Sequence, residues 1–160
     1  MTSFKINSVI FSMLVLLSAS GFAQQTTLAK EELFGTWRLS KMIYEGHELD
    51  LPNPDLRLTF QFFQNFSLRI YWDRKDPSVF CESVSNWTLQ TDESGKPQLA
   101  VETFAVNPMN AFDCSGDPDM TLGKKESVPL WIQDGSLMMT LRLGDQDLTY
   151  LFNKQEKGTL

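Results

Sequence analysis

The side chains that most often carry catalysis are scarce in this chain. His47 is the single histidine, and it lies between Gly46 and Glu48 in a turn signal, where a solvated loop residue is the simpler reading. A Ser-His-Asp relay therefore has almost no base to draw on. No Gly-x-Ser-x-Gly elbow, phosphate-binding loop or His-rich metal spacing occurs, and no carboxylate pair stands out as an acid and a base. Asp113, Asp117 and Asp119 cluster and could offer oxygens to calcium, but their spacing lacks the ordered ligand positions of a dedicated calcium loop. Solvated loop acids are the simpler reading. The expectation is a protein that is not an enzyme, with no catalytic residue, no metal and no cofactor.

The remaining reactive groups are Cys81 and Cys114, the two cysteines of the chain. What they do depends on compartment. Met1 to Lys5 is a short start with one cation, Val9 to Leu17 is almost wholly apolar, and Ser18-Ala19-Ser20-Gly21-Phe22-Ala23 offers small residues where a signal peptidase cuts. Cleavage is expected after Ala23, because the apolar run is well short of the roughly 20 residues that a membrane span needs. Residues 1–23 are thus read as a signal peptide and residues 24–160 as one domain, periplasmic or secreted, without stable membrane insertion. In such an oxidising space an even pair of cysteines more often bridges than binds metal. Two buried free thiols are the alternative.

Charge narrows the partners. The chain has 14 basic against 20 acidic side chains, a net charge of −6, and losing Lys5 with the leader makes the remainder more negative still. Such a surface repels nucleic-acid phosphates and anionic headgroups and attracts basic proteins.

The elements that must position these residues read as eight short strands. Gly35 to Tyr44 is the first, ended by Glu45-Gly46-His47. Leu56 to Phe63 alternates, with Leu56, Leu58, Phe60 and Phe62 on one face and Arg57, Thr59 and Gln61 on the other. After a Gln64-Asn65 turn, Phe66 to Trp72 repeats the pattern, with Phe66, Leu68, Ile70 and Trp72 set against Ser67, Arg69 and Tyr71. Asp73 to Pro77 reads as a charged loop. Val79–Gln90, Gln98–Val106, Glu126–Ile132, Ser136–Leu143 and Asp147–Lys154 complete the set, and Asn107 to Lys125 is the longest irregular connection. Leu28 to Phe34 alone looks helical, for a turn or two. Sequential antiparallel strands with no covering helix need closure, since an open sheet leaves two edges and a naked apolar face. The expected fold is all-β, an eight-stranded antiparallel up-and-down barrel preceded by a short helical turn.

One segment adds a family likeness. Phe34-Gly35-Thr36-Trp37-Arg38-Leu39 resembles the first-strand motif of the calycins, the lipocalins and fatty-acid-binding proteins. Fatty-acid-binding proteins insert two helices after that strand, whereas here Gly46 leads directly onward. The chain is more similar to small bacterial lipocalin-like proteins, which Asn53-Pro54-Asp55, Phe80-Cys81-Glu82 and Cys114-Ser115-Gly116-Asp117-Pro118-Asp119 also resemble. The likeness implies that Gly35 lets the chain into the barrel and that Trp37 plugs its floor. The arginine that closes over that tryptophan in classical lipocalins has no obvious counterpart; Lys154 is nearest.

An eight-stranded barrel is just wide enough to fill with side chains or to hold one small ligand. Leu58, Phe60, Phe62, Leu68, Ile70 and Trp72 are the candidate interior residues. If they leave a void, the chain carries a small apolar or amphipathic molecule. If they fill it, the chain acts through its acidic surface and long loop, as an inhibitor of a basic enzyme such as a lysozyme. The Arg69-x-Tyr71 pair is similar to the carboxylate clamp of fatty-acid carriers, but lies opposite the apolar face and reads as exterior.

Overall fold

A computed structural model describes residues 28–143 and 146–156, with side chains at 142 and 143 left out. The expected leader and its expected cleavage point lie outside the described residues. One short helix, α1 (Lys30–Leu33), precedes nine strands: β1 (Gly35–Tyr44), β2 (His47–Leu49), β3 (Leu56–Phe62), β4 (Ser67–Arg74), β5 (Asp76–Thr91), β6 (Pro97–Val106), β7 (Lys125–Gln133), β8 (Ser136–Leu143) and β9 (Gln146–Lys154). From β3 onward each strand pairs antiparallel with the next, and β9 returns to β1 from Trp37↔Lys154 to Tyr44↔Leu148. β1 gives residues 35–38 to β3 and only its far end to β2, so β2 is a short arm and the barrel itself has eight strands.

Closure forces a change of parity in β1. The register against β9 slips between Leu39 and Lys41, and the Ser40 hydroxyl donates to the Leu151 carbonyl at 3.1 Å. A bulge of this kind adds local bend and twist. It lets Trp37 and Leu39 face inward on one side of the slip, and pairs Met42 with inward Tyr150 on the other.

Three expected boundaries move. His47, expected to end a turn, instead opens β2 opposite Tyr44, so the turn is Glu45-Gly46 alone. Phe66 is not an inward strand residue: it takes φ 62° in the β3–β4 connection and is exposed. The turn therefore spans residues 63–66, closed by the Phe63 N–H to the Ser67 carbonyl at 2.9 Å. Alternation alone cannot tell the last residue of a turn from the first of a strand. Asp73 to Pro77 is likewise not a loop. β4 runs through Arg74 and β5 begins at Asp76, leaving only Lys75, at φ 67°. Pairing of Arg57 with Asp73, Nε to Oδ1 at 2.6 Å, keeps this charged stretch in the sheet.

One end of the barrel is plugged. Leu28 and Leu33 are buried against Trp37, Phe62 and Trp87, with Phe62 meeting the Trp87 ring edge-on at 5.3 Å between centroids. The other end is roofed by the β6–β7 connection, whose two 3-10 turns, Phe112–Gly116 and Pro118–Met120, bury Cys114 and Met120.

Candidate ligand site

Alternation along the walls builds the site. Leu58 and Phe60 of β3, and Leu68 and Ile70 of β4, point inward together with Leu99, Val128, Met139 and Phe152 from the opposite strands. They do not fill the barrel. A cavity of about 440 Å³ remains between them, within the range of small-molecule sites. The Phe60 and Phe152 rings meet at a tilt of 38°, with centroids 5.0 Å apart, along one wall.

The six interior candidates separate into three roles. Leu58, Phe60, Leu68 and Ile70 line the cavity. Phe62 is fully inward but lies below it, packed on Trp87 as part of the floor. Trp72 is half-buried at the rim, where its indole N–H donates to Asp117 Oδ2 at 2.7 Å and the Arg74 guanidinium lies over its ring. Strand parity put Trp72 on the inward face, but its polar edge found an acceptor in the roof.

The floor follows from the first strand. Trp37 is buried, its Nε1–H donates to the Leu33 carbonyl at 2.7 Å, and the Lys154 ammonium sits 4.9 Å from its ring centroid. Gly35, at φ 119°, is in a region that side chains avoid, and a Cβ there would lie 3.3 Å from Lys154 Cε.

The roof is held by covalent and polar ties. Cys81 of β5 and Cys114 form a disulfide with Cα atoms 5.6 Å apart. The Asn110 side chain accepts from the Glu82 N–H at 2.7 Å and donates to the Glu82 carbonyl at 3.0 Å, as a neighbouring strand would. This docking carries Asp117 and Asp119 over the mouth of the cavity.

At that mouth the chemistry turns polar. Lys124 Nζ donates to Glu126 Oε2 at 2.7 Å and to Asp119 Oδ1 at 2.9 Å, and all three residues line the cavity. Asp117 Oδ1 accepts the Asp119 N–H at 2.9 Å. Burial pushes the Asp119 carboxyl up, as do the charges of Asp117 and Glu126, against the pull of Lys124. Burial disfavours the Lys124 ammonium, but its bonds to Glu126 and Asp119 outweigh that and raise its pKa. Tyr150 is raised by burial and by Asp119. Lys124, Glu126 and Tyr150 were missed by motif reading. Alternation held a signal for two of them, since Glu126 is in phase with Val128 and Tyr150 with Phe152; Lys124 sits in a loop with no period.

The three loop acids do not converge as a calcium site would require. Asp113 lies by Arg74 at 3.9 Å, while Asp117 and Asp119 have Trp72 and Lys124 as partners. Among the described residues they do not form a cluster with ligand atoms within reach of one ion. On the outer face, Arg69 pairs with Glu82, and Tyr71 donates to Asp73 Oδ2 at 2.9 Å, so the Arg-x-Tyr pair is exterior. Among the described residues no helix is long and apolar enough to cross a membrane. No protein family matches the chain, and no curated protein does.

Proposed function

We propose that this protein is an exported carrier or scavenger that holds a small apolar or amphipathic molecule inside its barrel, in the manner of the small bacterial lipocalin-like proteins its first strand resembles. The observation that carries this reading is the cavity of about 440 Å³ with apolar walls, an aromatic floor and a polar mouth. Apolar surface withdrawn from water stabilises a complex by roughly 25 cal/mol per Å², enough for micromolar binding by a ligand that fills such a space. The disulfide suits an oxidising compartment, the periplasm or the medium. The test is titration with an environment-sensitive apolar probe, together with mass spectrometry of natively purified protein. One saturable site that perturbs Trp72 emission is expected; absence of any saturable probe or lipid binding overturns the reading.

A second reading has its own observation. The disulfide-tied roof exposes Met109, Phe112 and Leu122, with Phe112 95 % accessible, on an acidic molecule. Apolar anchors in an acidic surround suit the docking of a basic protein such as a cell-wall hydrolase. A stable complex on titration with such an enzyme, and no ligand in the barrel, would put this reading in place of the first.

A further inference from the structure

The polar end of the ligand can be read from the mouth of the cavity, an inference that rests on the carrier reading. Among the described residues four charged side chains line the cavity there, Asp117, Asp119 and Glu126 against Lys124. The one cation is already engaged. Lys124 gives its protons to Asp119 Oδ1 and Glu126 Oε2, at 2.9 and 2.7 Å. Both oxygens of Asp117 are used as well, by the Trp72 indole and the Asp119 N–H. The second oxygens of Asp119 and Glu126, Oδ2 and Oε1, have no donor among the described residues.

We infer that the barrel selects an amphipathic cation, an apolar body ending in a protonated amine, over the corresponding carboxylic acid. An incoming carboxylate would be a fourth acid among three, competing for an ammonium that two of them hold. Like charges gathered at one mouth repel, and the solvent that still reaches Asp119 and Glu126 reduces that repulsion without removing it. An incoming ammonium instead meets two cavity-lining carboxylates that each keep one oxygen without a donor among the described residues, and a charge-assisted N–H···O bond is the stronger kind. Burial is the main reason that the Asp119 carboxyl is raised, and the charges of Asp117 and Glu126 add to it. The net charge of −6 works in the same direction at long range, concentrating cations near the surface. The apolar walls below, Leu58, Ile70, Met139 and Phe152 among them, take the body of either ligand equally and so do not discriminate.

The experiment displaces a neutral apolar fluorophore from the mature protein at neutral pH with dodecylamine, dodecanol and dodecanoate, which share one tail and differ in head. The amine is expected to displace at a concentration at least tenfold below that of the carboxylate, with the alcohol between. The double variant Asp119→Asn/Glu126→Gln leaves Lys124 without its acids and is expected to reverse that order. Lys124→Met removes the competing cation and is expected to widen the preference for the amine. Binding of the alcohol, unchanged across all three proteins, checks that the barrel is folded. Equal or tighter binding of the carboxylate to the unsubstituted protein overturns the assignment, as does an amine preference that survives in the double variant. Failure of the fluorophore and all three ligands to bind would overturn the carrier reading itself, a different result from alcohol binding without charge selection.

Discussion

Trp37 is held from three sides: the Leu33 carbonyl accepts its indole proton, Lys154 covers its face, and Leu39 and Phe60 lie alongside it in the core. Its removal would leave a cavity at the floor that neighbouring backbone cannot close, and would orphan a buried carbonyl. Trp37→Ala is expected to cost about 3 to 5 kcal/mol, read as a shift in the urea midpoint; a small shift would separate this tryptophan from the role its motif implies. Ser83 presents the opposite case. Its hydroxyl is fully buried and has no partner among the described residues, whereas Ser85 beside it shares a bond with Thr103 at 3.1 Å. An unsatisfied buried hydroxyl destabilises by about 1 to 3 kcal/mol, so Ser83→Ala is expected to be neutral or stabilising, while Ser85→Ala, which strands the Thr103 hydroxyl, is expected to destabilise. The residues around Trp37 form a local pattern that can be read from the sequence. Nothing local distinguishes Ser83 from Ser85, since only the approach of Thr103 across the sheet separates them.

At the scale of elements, the connection between β6 and β7 is the part whose structure depends most on distant contacts. The Cys81–Cys114 bridge closes a loop of 33 residues, which in the chain-entropy view is worth roughly 4 kcal/mol. Reduction, or Cys114→Ser with Cys81→Ser, is expected to lower stability by about 3 to 4 kcal/mol and to weaken probe binding further than that of the oxidised protein, because the roof then loses its tie to β5. Equal binding by both forms would show that the hydrogen bonds of the roof, those of Asn110 and Asp117 among them, dock it without the bridge. The acid–base seam under this roof also sets a pH response. Tyr150 titrates above the ordinary tyrosine value of 10.0, since burial and Asp119 oppose its phenolate. The unfolded chain then loses that proton first, so the stability contributed by the neutral hydroxyl is present below about pH 10 and is lost above it. Lys124, also raised, adds stability that is complete below 10.5 and lost as pH climbs through its folded value. Thermal midpoints measured against pH are expected to fall steeply above about pH 10, and less steeply in Tyr150→Phe. An identical alkaline slope in that variant would show that Tyr150 does not contribute.

For the whole molecule, the decisive quantity is the space left when the sheet closes. Leu58 lines that space and pairs with Trp72 across β3 and β4, so a larger ring at position 58 would project into the void rather than into packed neighbours. Leu58→Trp is expected to abolish probe binding while leaving the thermal midpoint within a few degrees of the parent, as filling an existing cavity adds contacts without strain. A variant that unfolds would show that the cavity is smaller in solution than about 440 Å³.

Strand identity, antiparallel order and closure were within reach of the sequence. Each follows from a period of two residues, from turn signals, or from the need to cover a sheet's edges, and all of these are local or topological. The same period of two residues sets Leu58, Phe60, Phe62, Leu68 and Ile70 on one face of β3 and β4. What the fold alone decided was whether those side chains fill the barrel. A void is the small difference between an enclosed volume and the side chains within it, and the enclosed volume depends on strand register and on the slip at Ser40 in β1. The charged mouth is likewise a tertiary product: Asp117, Asp119, Lys124, Glu126 and Tyr150 come from a loop and two strands, and only barrel closure with a docked roof sets them around one opening.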